Sequence, residues 1–475
     1  MPYTPAPTLV DNESLTHTWF QTLKTNIEAA FDHNVQPADI TWPLVLDGPI
    51  DFSDFTFLNL TNLGTVHFAD KYASIQAAIN AANAQGGGIV LLGPKSYSVS
   101  STIDMQSGSV GNHNVQLIGC GRSSVIQATA PFTGTEVITV ANQTSSAANR
   151  MVLHNFQINL SGVSAVDGIQ TNNVEECIIS YIYITNAPQY GIVLNRTIET
   201  ICEYCDINLS TAATSGILIN ANTADSKRLI IRHNRITGIN NENQRMYMRL
   251  SPPPNSIIAN NIMDAMAEEK TGIYINDDAG FNITDLLITD NLIFRDNLSL
   301  TDTLGRGIVC EGNAAANFSM RGIRIVNNVI YNVGQDAIAV LGAGSPSTGI
   351  YSNFTIAGNV IRLPGRDGIR LRQNCTRMTV TGNNISGPNA RAQSGFAIRL
   401  SQASSTYKPT WITVHGNVMT WVSLQDGITA PQYAVNSGAN CDKCLAVGNS
   451  AKGFSAIPPY LLPGLGSSIG ENVNS

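Results

Sequence analysis

Charged residues are scarce in this 475-residue chain, in which Asp, Glu, Lys and Arg together make up 13%. The formal net charge is −7, so the chain lacks the basic surface that a general nucleic-acid-binding protein needs. No stretch approaches the roughly 18 consecutive apolar residues of a membrane-spanning helix. We therefore expect neither a nucleic-acid partner nor insertion into a membrane.

The start of the chain lacks the marks of a secretory signal, since residues 1–5 carry neither a basic region nor an apolar one. We therefore expect no secretion signal in this sequence. What is abundant is glycine, with 40 residues, together with Asn, Ser, Thr and Ile. This composition is typical of short strands joined by polar turns.

A repeating unit runs from residue 151 onward. Apolar residues occupy positions 1, 3 and 8 of the unit, and Asn usually occupies position 6. The alternation at positions 1 and 3 predicts a short strand with one buried face, and the Asn then turns the chain into the next strand. The position-6 residues are Phe156, Ile182, Cys205, Asn234, Asn261, Asn291, Asn328, Asn359, Asn383, Asn417 and Asn449.

A further strand follows in most units, with a small residue, Ile, any residue and an aliphatic residue in that order. Strands that repeat at spacings of 23 to 37 residues indicate a solenoid with loops of variable length. We predict an all-β chain folded as a right-handed parallel β-helix of about eleven coils with an asparagine ladder. Copies of the further strand begin at Gly191, Gly216, Gly272, Gly307, Ala337 and Gly368.

Both ends of the chain fall outside this repeat. Residues 14–31 predict an amphipathic helix that either packs on the body or serves in docking or oligomerisation. A second helix, at 74–85, is expected to cap the open edge of the β-helix. We predict three parts: an N-terminal helix with a connecting or docking segment (1–64), the parallel β-helix (65–455) and a C-terminal capping tail (456–475).

The segment that opens the β-helix resembles the opening of pectate-lyase-superfamily β-helices. The shared features are the helix motif at 74–80, the glycine triplet at 86–88, the strand at 89–92, the Tyr-bearing strand at 96–99 and Leu-Ile-Gly-Cys-Gly at 117–121. The resemblance covers roughly residues 66–130 by motif and 130–450 by architecture. The catalytic signatures of the polygalacturonases in this family are not intact.

This family includes polysaccharide lyases, polygalacturonase-like hydrolases and phage tailspike depolymerases, so the resemblance implies a polysaccharide partner. A tailspike would further imply a homotrimer, an extracellular or virion-surface location and attachment to a phage tail through residues 1–64. We expect no cofactor.

The further strands predict two columns of outward residues. Arg370 and Arg399 are expected to be stacked neighbours about 4.8 Å apart, with Arg372 beside them. Stacked like charges on an acidic protein suggest an anion such as the carboxylates of an acidic polysaccharide, unless nearby carboxylates neutralise them. The remaining candidates in these columns are Tyr274 and Asn276 for substrate binding and Glu311 for catalysis.

Two pairs of aspartates are candidates for general acid catalysis. Asp336 and Asp367 occupy equivalent places before two of the further strands, where like charges at close range would separate their pKa values. Asp277 and Asp278 form a second pair, just past such a strand. The alternative is ordinary turn chemistry for both pairs.

Eight cysteines include two Cys-x-x-Cys pairs, Cys202/Cys205 and Cys441/Cys444, whose spacing is that of zinc ligands. The repeat, however, directs most of them inward, where they are expected to be small buried apolar residues. We therefore expect no metal site.

The sequence favours a polysaccharide-degrading enzyme, either a glycoside hydrolase or a polysaccharide lyase, that acts on a cell-surface or acidic polysaccharide. A lyase would use Arg370, Arg399 or Tyr274 as its base. The alternatives are a non-catalytic glycan-binding or structural spike and a uronan epimerase.

Overall fold

A computed structural model describes most of the repeat region, and all the described residues belong to one compact unit, Leu58–Ser475. The helix predicted at 14–31 and the residue Asp278 lie outside the described residues. The described ranges are 65–106, 114–141, 151–210, 213–220, 228–238, 246–264, 271–277, 282–295, 305–312, 319–342, 350–390, 395–401, 408–421, 430, 433–437, 441–455, 460–462 and 467–474.

The described strands pair in parallel with the strands one coil before and one coil after them, which builds three long sheets. Sheet A contains repeat positions 2–4, sheet B contains positions 7–9, and sheet C contains the further strands. The strands of sheet A alone are Thr65–Phe68, Gly87–Leu91, Ile178–Ser180, Ile201–Glu203, Ile230–Arg232, Ile257–Ala259, Leu287–Thr289, Arg324–Val326, Thr355–Ala357, Leu445–Val447 and Ser468–Ile469.

Sheets B and C follow the same rule of one strand per coil. The strands of sheet B alone are Tyr183–Ala187, Asp206–Leu209, Arg235–Gly238, Ile262–Asp264, Leu292–Phe294, Val329–Tyr331, Val360–Arg362, Asn384–Ser386, Val418–Thr420, Ser450–Lys452 and Val473–Asn474. Those of sheet C alone are Asp167–Glu175, Tyr190–Ile198, Ser215–Asn220, Met246–Ser251, Thr271–Asp277, Ile308–Gly312, Ile338–Leu341, Ile369–Arg372, Ile398–Ser401, Val435–Ser437 and Tyr460–Leu461.

Some strands turn a corner, and a few short ones lie between sheets C and A. The corner-turning strands are Ser96–Asp104, Asn114–Ala141, Val152–Asn159, Cys375–Thr381 and Thr410–His415. The short strands are Ile283–Thr284, Ser319–Arg321 and Ile350–Ser352.

The hydrophobic core fills the inside of the coils because equivalent positions point inward in every turn. Ile325, for example, pairs with Ile288 in one neighbouring strand and with Ile356 in the other. All three side chains are fully buried. One continuous cluster of buried residues extends from Ala69 to Leu462. The predicted parallel β-helix is therefore confirmed.

The asparagine ladder is also confirmed. The Oδ1 atom of Asn359 accepts hydrogen bonds from the backbone N–H and the Nδ2 of Asn328, at 2.9 and 3.1 Å. Asn359 in turn donates from Nδ2 to the Oδ1 of Asn383 and to the carbonyl of Ile325, both at 2.9 Å. The same pattern runs from Asn234 to Asn449.

The ladder continues beyond the residues that the sequence repeat identified, because Asn449 donates to the Oδ1 of Asn472 at 3.0 Å. The described residues of the C-terminal segment pair as further strands on sheets A, B and C. At the opposite end, the second predicted helix is confirmed at Ile75–Ala84, with the Ser74 hydroxyl accepting from the Ala77 N–H. In the described part of the chain, no helix has the length and apolarity to cross a membrane.

Candidate functional site

The outward face of sheet C carries two columns of side chains in the predicted register. One column runs through Tyr274, Val309, Ala339, Arg370 and Arg399. The stacking of the last two arginines as direct neighbours is confirmed. The second column runs through Asn276, Glu311, Leu341, Arg372 and Ser401.

The middle of these columns differs from the expectation of an open outward face. Val309, Ala339 and Leu341 point away from the main core, yet they are buried in a small second cluster against which Tyr274 packs. This second cluster separates the polar and charged residues of the outward face into two groups. Along the axis, Tyr274 precedes the cluster and Glu311 lies on the same strand as Val309. Arg370, Arg372 and Arg399 lie beyond the cluster.

Asp336 occupies a turn just before a strand of sheet C and is completely buried. Arg366 binds its carboxylate with two hydrogen bonds, from Nε at 2.8 Å and from Nη2 at 2.6 Å. Arg306 and Arg370 approach the same carboxylate at 3.6 and 3.8 Å. Such a bidentate pair is strong and fixes the planes of both groups.

Asp367 lies one coil further on, at the equivalent place, and is also completely buried. Its Oδ1 atom accepts the backbone N–H of Phe396 at 2.8 Å. Its Oδ2 atom has no hydrogen bond from the described residues, although guanidinium nitrogens lie near it. These distances are 3.7 Å to Arg366, 4.0 Å to Arg370 and 3.8 Å to Arg399.

Burial and the neighbouring Asp336 carboxylate together raise the pKa of Asp367 to about 7, although Arg399 and Arg370 act to lower it. For Arg370, burial lowers the pKa of the guanidinium, because the charged form loses hydration. The two aspartates are thus equivalent in place but differ in bonding. Asp336 holds an arginine, whereas one oxygen of Asp367 is left without a hydrogen bond.

We call Arg306, Arg366, Arg370 and Arg399 the arginine cluster. Four guanidinium groups surround two carboxylates, so the cluster keeps an excess of at least two positive charges. Its side chains are 15 to 33% exposed, and Arg399 also lies over the Phe396 ring at 5.3 Å. The carboxylates therefore neutralise the arginines only in part.

Three polar atoms around the cluster are buried without a hydrogen-bond partner among the described residues. They are Oδ2 of Asp367, Nε of Arg306 and Oε1 of Gln335. Buried polar groups ordinarily find a partner, and an unpaired one costs free energy. The cluster can therefore accept additional polar groups as well as negative charge.

On the other side of the second cluster, the hydroxyl of Tyr274 donates to Oε2 of Glu311 at 3.3 Å. Burial raises the pKa of Tyr274, and the Glu311 carboxylate raises it further, so the hydroxyl is neutral at physiological pH. The positive charges of Arg249, one strand away, and of Arg306 act to lower the pKa of this hydroxyl. Glu311 remains partly exposed.

The other sequence candidates are placed as follows. Arg372 is partly exposed, and no carboxylate lies within 4.0 Å of it in the described part of the chain. Asn276 is buried beside Glu311. Asp277 ends a strand of sheet C, and its side chain lies outside what is described.

Sequence analysis missed Arg306, Arg366 and Arg249. Arg306 and Arg366 lie in the turns before sheet C, and each follows a glycine. The register places Arg306 level with Asp336 and Arg366 level with Gln335. The Gly-Arg pair before a strand of sheet C was a usable signal for the turn, but not for the direction of the arginine side chain. Arg249 lies in a strand whose Met248-Arg249-Leu250 sequence lacks the Gly-Ile start of its neighbours.

Seven cysteines are buried and Cys120 is exposed, and none of the eight forms a disulfide. The inward placement predicted for the Cys-x-x-Cys pairs is confirmed. Among the described residues, no group of three or more His, Cys, Asp or Glu side chains has the arrangement of a metal site.

Comparison with known proteins supports the fold. Residues 167–345 match the family model described as "Right handed beta helix region". The chain therefore has the right-handed parallel β-helix fold, and the resemblance to pectate-lyase-superfamily β-helices and to phage tailspikes is confirmed for the fold alone. A search of curated protein sequences finds no match.

Solved structures with a similar fold have low sequence identity. The A-module of mannuronan C-5 epimerase AlgE6 from Azotobacter vinelandii has a TM-score of 0.54 and 19% identity, over 86% of this chain and 99% of that one. The tailspike protein of E. coli bacteriophage HK620, in complex with a pentasaccharide, has a TM-score of 0.56 and 12% identity, over 83% and 76%. An exopolygalacturonase from Thermotoga maritima has a TM-score of 0.51 and 10% identity, over 73% and 87%.

Proposed function

We propose that this chain binds and cleaves an acidic polysaccharide along the outward face of sheet C. The observation that carries the proposal is the arginine cluster, whose positive charge exceeds that of its two carboxylates on a protein with a net charge of −7. Partly exposed guanidinium groups on a rigid sheet are suited to bind carboxylates in a defined orientation. Arg372 extends this positive surface along the second column.

Within this proposal, Asp336 and Asp367 are positioning residues. Both are completely buried, and both contact arginines of the cluster rather than solvent. Their negative charge holds the guanidinium groups together despite their mutual repulsion. The arginines then present their remaining donors to the sugar carboxylates.

Glu311 is the proposed catalytic carboxylate. It is partly exposed and bonded to the Tyr274 hydroxyl, and it lies two strands, about 10 Å, from Arg372 along the same column. That separation allows one sugar unit to lie at Glu311 while a neighbouring unit contacts the arginines. Tyr274, whose hydroxyl is neutral, can donate a hydrogen bond or a proton next to the reacting bond. The pair Asp277/Asp278 is a further candidate for the second carboxylate of a hydrolase.

The names of the similar solved structures support a carbohydrate substrate in general. Two of them are named for mannuronan and for polygalacturonan, and the tailspike structure contains a bound pentasaccharide. We further propose that the chain assembles in the way that a tailspike would. In that case the chain forms a homotrimer at the virion surface or in the extracellular space, with residues 1–64 as its attachment to a phage tail.

The proposal is tested by incubating the full chain with polygalacturonate, polymannuronate and hyaluronate, with neutral dextran as control. New reducing ends indicate cleavage, and ultraviolet absorbance from unsaturated uronates identifies a lyase. Glu311→Gln is expected to lower the rate at least about a hundredfold while binding is retained, because it removes a proton-transferring group. Glu471→Gln, at an exposed glutamate, is the matched control.

A second candidate is a non-catalytic glycan-binding spike, favoured by the complete burial of Asp336 and Asp367. Binding without any product from the wild-type chain would replace the first proposal with this one. A change of sugar configuration without shorter chains, seen by NMR, would instead indicate a uronan epimerase. Light scattering tests the trimer, and a monomeric mass would contradict it.

A further inference from the structure

A column of turn residues lies just before position 1 of each coil, where the chain enters sheet A. These residues adopt positive φ angles, in the left-handed region that favours Gly, Asn and Asp. Most of the column is polar, charged or glycine. Its described members are Glu176, Glu199, Arg228, Asn255, Asp285, Gly322, Asn353, Arg377, Trp411 and Lys443.

Trp411 is the exception in this column. Its φ is 58°, and its side chain is 56% exposed, the largest value among the exposed large hydrophobic residues of the described chain. A bulky side chain in the left-handed region costs free energy, and an indole that stays exposed gains no burial in return. A residue held in this way at a surface turn points to a role in binding.

Two cations lie on either side of Trp411 along the axis. Thr376 pairs with Thr410, and Thr410 pairs with Asp442, so Arg377, Trp411 and Lys443 follow one another in successive coils. The Nζ atom of Lys443 lies 4.4 Å from the centre of the indole ring. A cation over the face of an indole is an attractive contact.

The negative charges near these cations are already occupied. The Asp442 carboxylate is bound by Lys408 at 2.6 Å. Among the described residues, neither Arg377 nor Lys443 has a carboxylate within 4.0 Å. The surface around Trp411 therefore combines an exposed aromatic ring with two cations that lack a partner anion there.

We propose that Trp411, Arg377 and Lys443 form a second sugar-binding subsite for the same acidic polysaccharide. The part of the indole that Lys443 does not cover packs against the apolar C–H face of a pyranose ring, and the two cations bind the carboxylate of that sugar or of its neighbour. This inference rests on the proposed function. Arg377 follows Arg372 by five residues, which places the subsite at most about 18 Å from the positive surface of sheet C.

The test compares the affinity of full-length variants for oligosaccharides of polygalacturonate, polymannuronate and hyaluronate, measured by isothermal titration calorimetry. Trp411→Asn is the informative variant, because Asn suits the left-handed backbone and the chain is expected to unfold no more easily. Its affinity is expected to fall about tenfold, as is usual for the loss of an aromatic anchor. Trp421→Phe, at a partly buried tryptophan on another corner, should bind like the wild type.

The outcomes separate this inference from the proposed function. If Arg370→Gln loses affinity but Trp411→Asn and Lys443→Gln bind as tightly as the wild type, the subsite is wrong and the proposed function stands. If the wild-type chain binds none of the acidic oligosaccharides, the proposed function is wrong and the subsite with it. Loss of affinity in both the Arg370→Gln and the Trp411→Asn variants supports the proposed function and the subsite together.

Discussion

The asparagine ladder and the arginine cluster are both built by stacking polar residues of successive coils, yet they differ in how completely their hydrogen bonds are satisfied. In the ladder, the amide of Asn359 accepts from one neighbour and donates to the other. In the arginine cluster, buried atoms of Asp367, Arg306 and Gln335 have no partner among the described residues.

The difference follows from the side chains themselves. An amide carries both donors and an acceptor, so identical copies satisfy one another without limit. A guanidinium carries donors only, so stacked copies such as Arg370 and Arg399 repel and need acceptors from elsewhere. Two buried carboxylates supply part of that need. A self-complementary column therefore stabilises the fold, and a column with surplus donors is suited to bind a ligand.

The largest effect is expected in the ladder. Asn359→Ala should lower the free energy of unfolding by roughly 3–5 kcal/mol, because it strands the buried backbone N–H of Asn328 and other partners of the amide. Chemical denaturation followed by circular dichroism measures this. Asn384→Ala, at the exposed residue that follows the neighbouring ladder residue Asn383, should cost less than about 0.5 kcal/mol. Equal losses in the two variants would contradict a structural role for the ladder.

A smaller effect should separate the two buried aspartates. Asp336→Asn removes the partner of Arg366 and should lower the free energy of unfolding by about 3 kcal/mol at neutral pH. Asp367→Asn should cost clearly less, because the carboxyl of Asp367 is partly protonated at pH 7 and one of its oxygens has no hydrogen bond. Similar losses of stability in both variants would show that the position in the coil, and not the hydrogen bonding, sets the contribution of each aspartate.

The raised pKa of Asp367 also predicts that the free energy of unfolding depends on pH. The pKa of Asp367 is about 7 in the folded chain and about 4 in an unfolded one, so the folded state binds more protons between these values. Its contribution to the free energy of unfolding is therefore greatest at low pH and falls as the pH rises from about 4 to 7. Denaturation across this range should show the free energy of unfolding of the wild type falling relative to that of Asp367→Asn as the pH rises. A constant difference between the two would contradict the raised pKa.

The smallest effect on stability, with a clear one on binding, is expected at the arginines. Arg370→Gln should weaken binding of the acidic polysaccharide about tenfold, since it removes a charged hydrogen-bond donor. The free energy of unfolding should stay the same or rise, because the repulsion from Arg399 is relieved. Arg362→Gln, at an exposed arginine on sheet B of the same coil, is the matched control for calorimetric titration. An equal loss in both would mean that overall charge, not the cluster, attracts the ligand.

Much of the frame was predictable from sequence. The inward Ile, Val and Leu residues recur with the coil, and this recurrence predicted the ladder, the pairing of Arg370 with Arg399 and the burial of Cys202 and Cys205. The prediction missed residues where the sequence repeat is weaker. Asn472 follows a Ser-rich stretch without the apolar signature, and Arg249 lies in a strand without the Gly-Ile start.

The candidate site was predictable only in part. Residues in strands have side-chain directions that follow from alternation, which is why Arg370, Arg399 and Glu311 were found. Arg306 and Arg366 lie in turns, where no period sets the direction of a side chain. The burial of Val309 and Leu341 on an outward face likewise depends on what covers that face.

The sequence by itself determined the parallel β-helix and the register of its coils, because equivalent inward residues must stack for each coil to bury its apolar face. The tertiary structure alone decided which charges meet. The pairing of Arg366 with Asp336 and the raised pKa of Asp367 depend on distances between turns of different coils. Those distances follow from packing in three dimensions and leave no period in the chain.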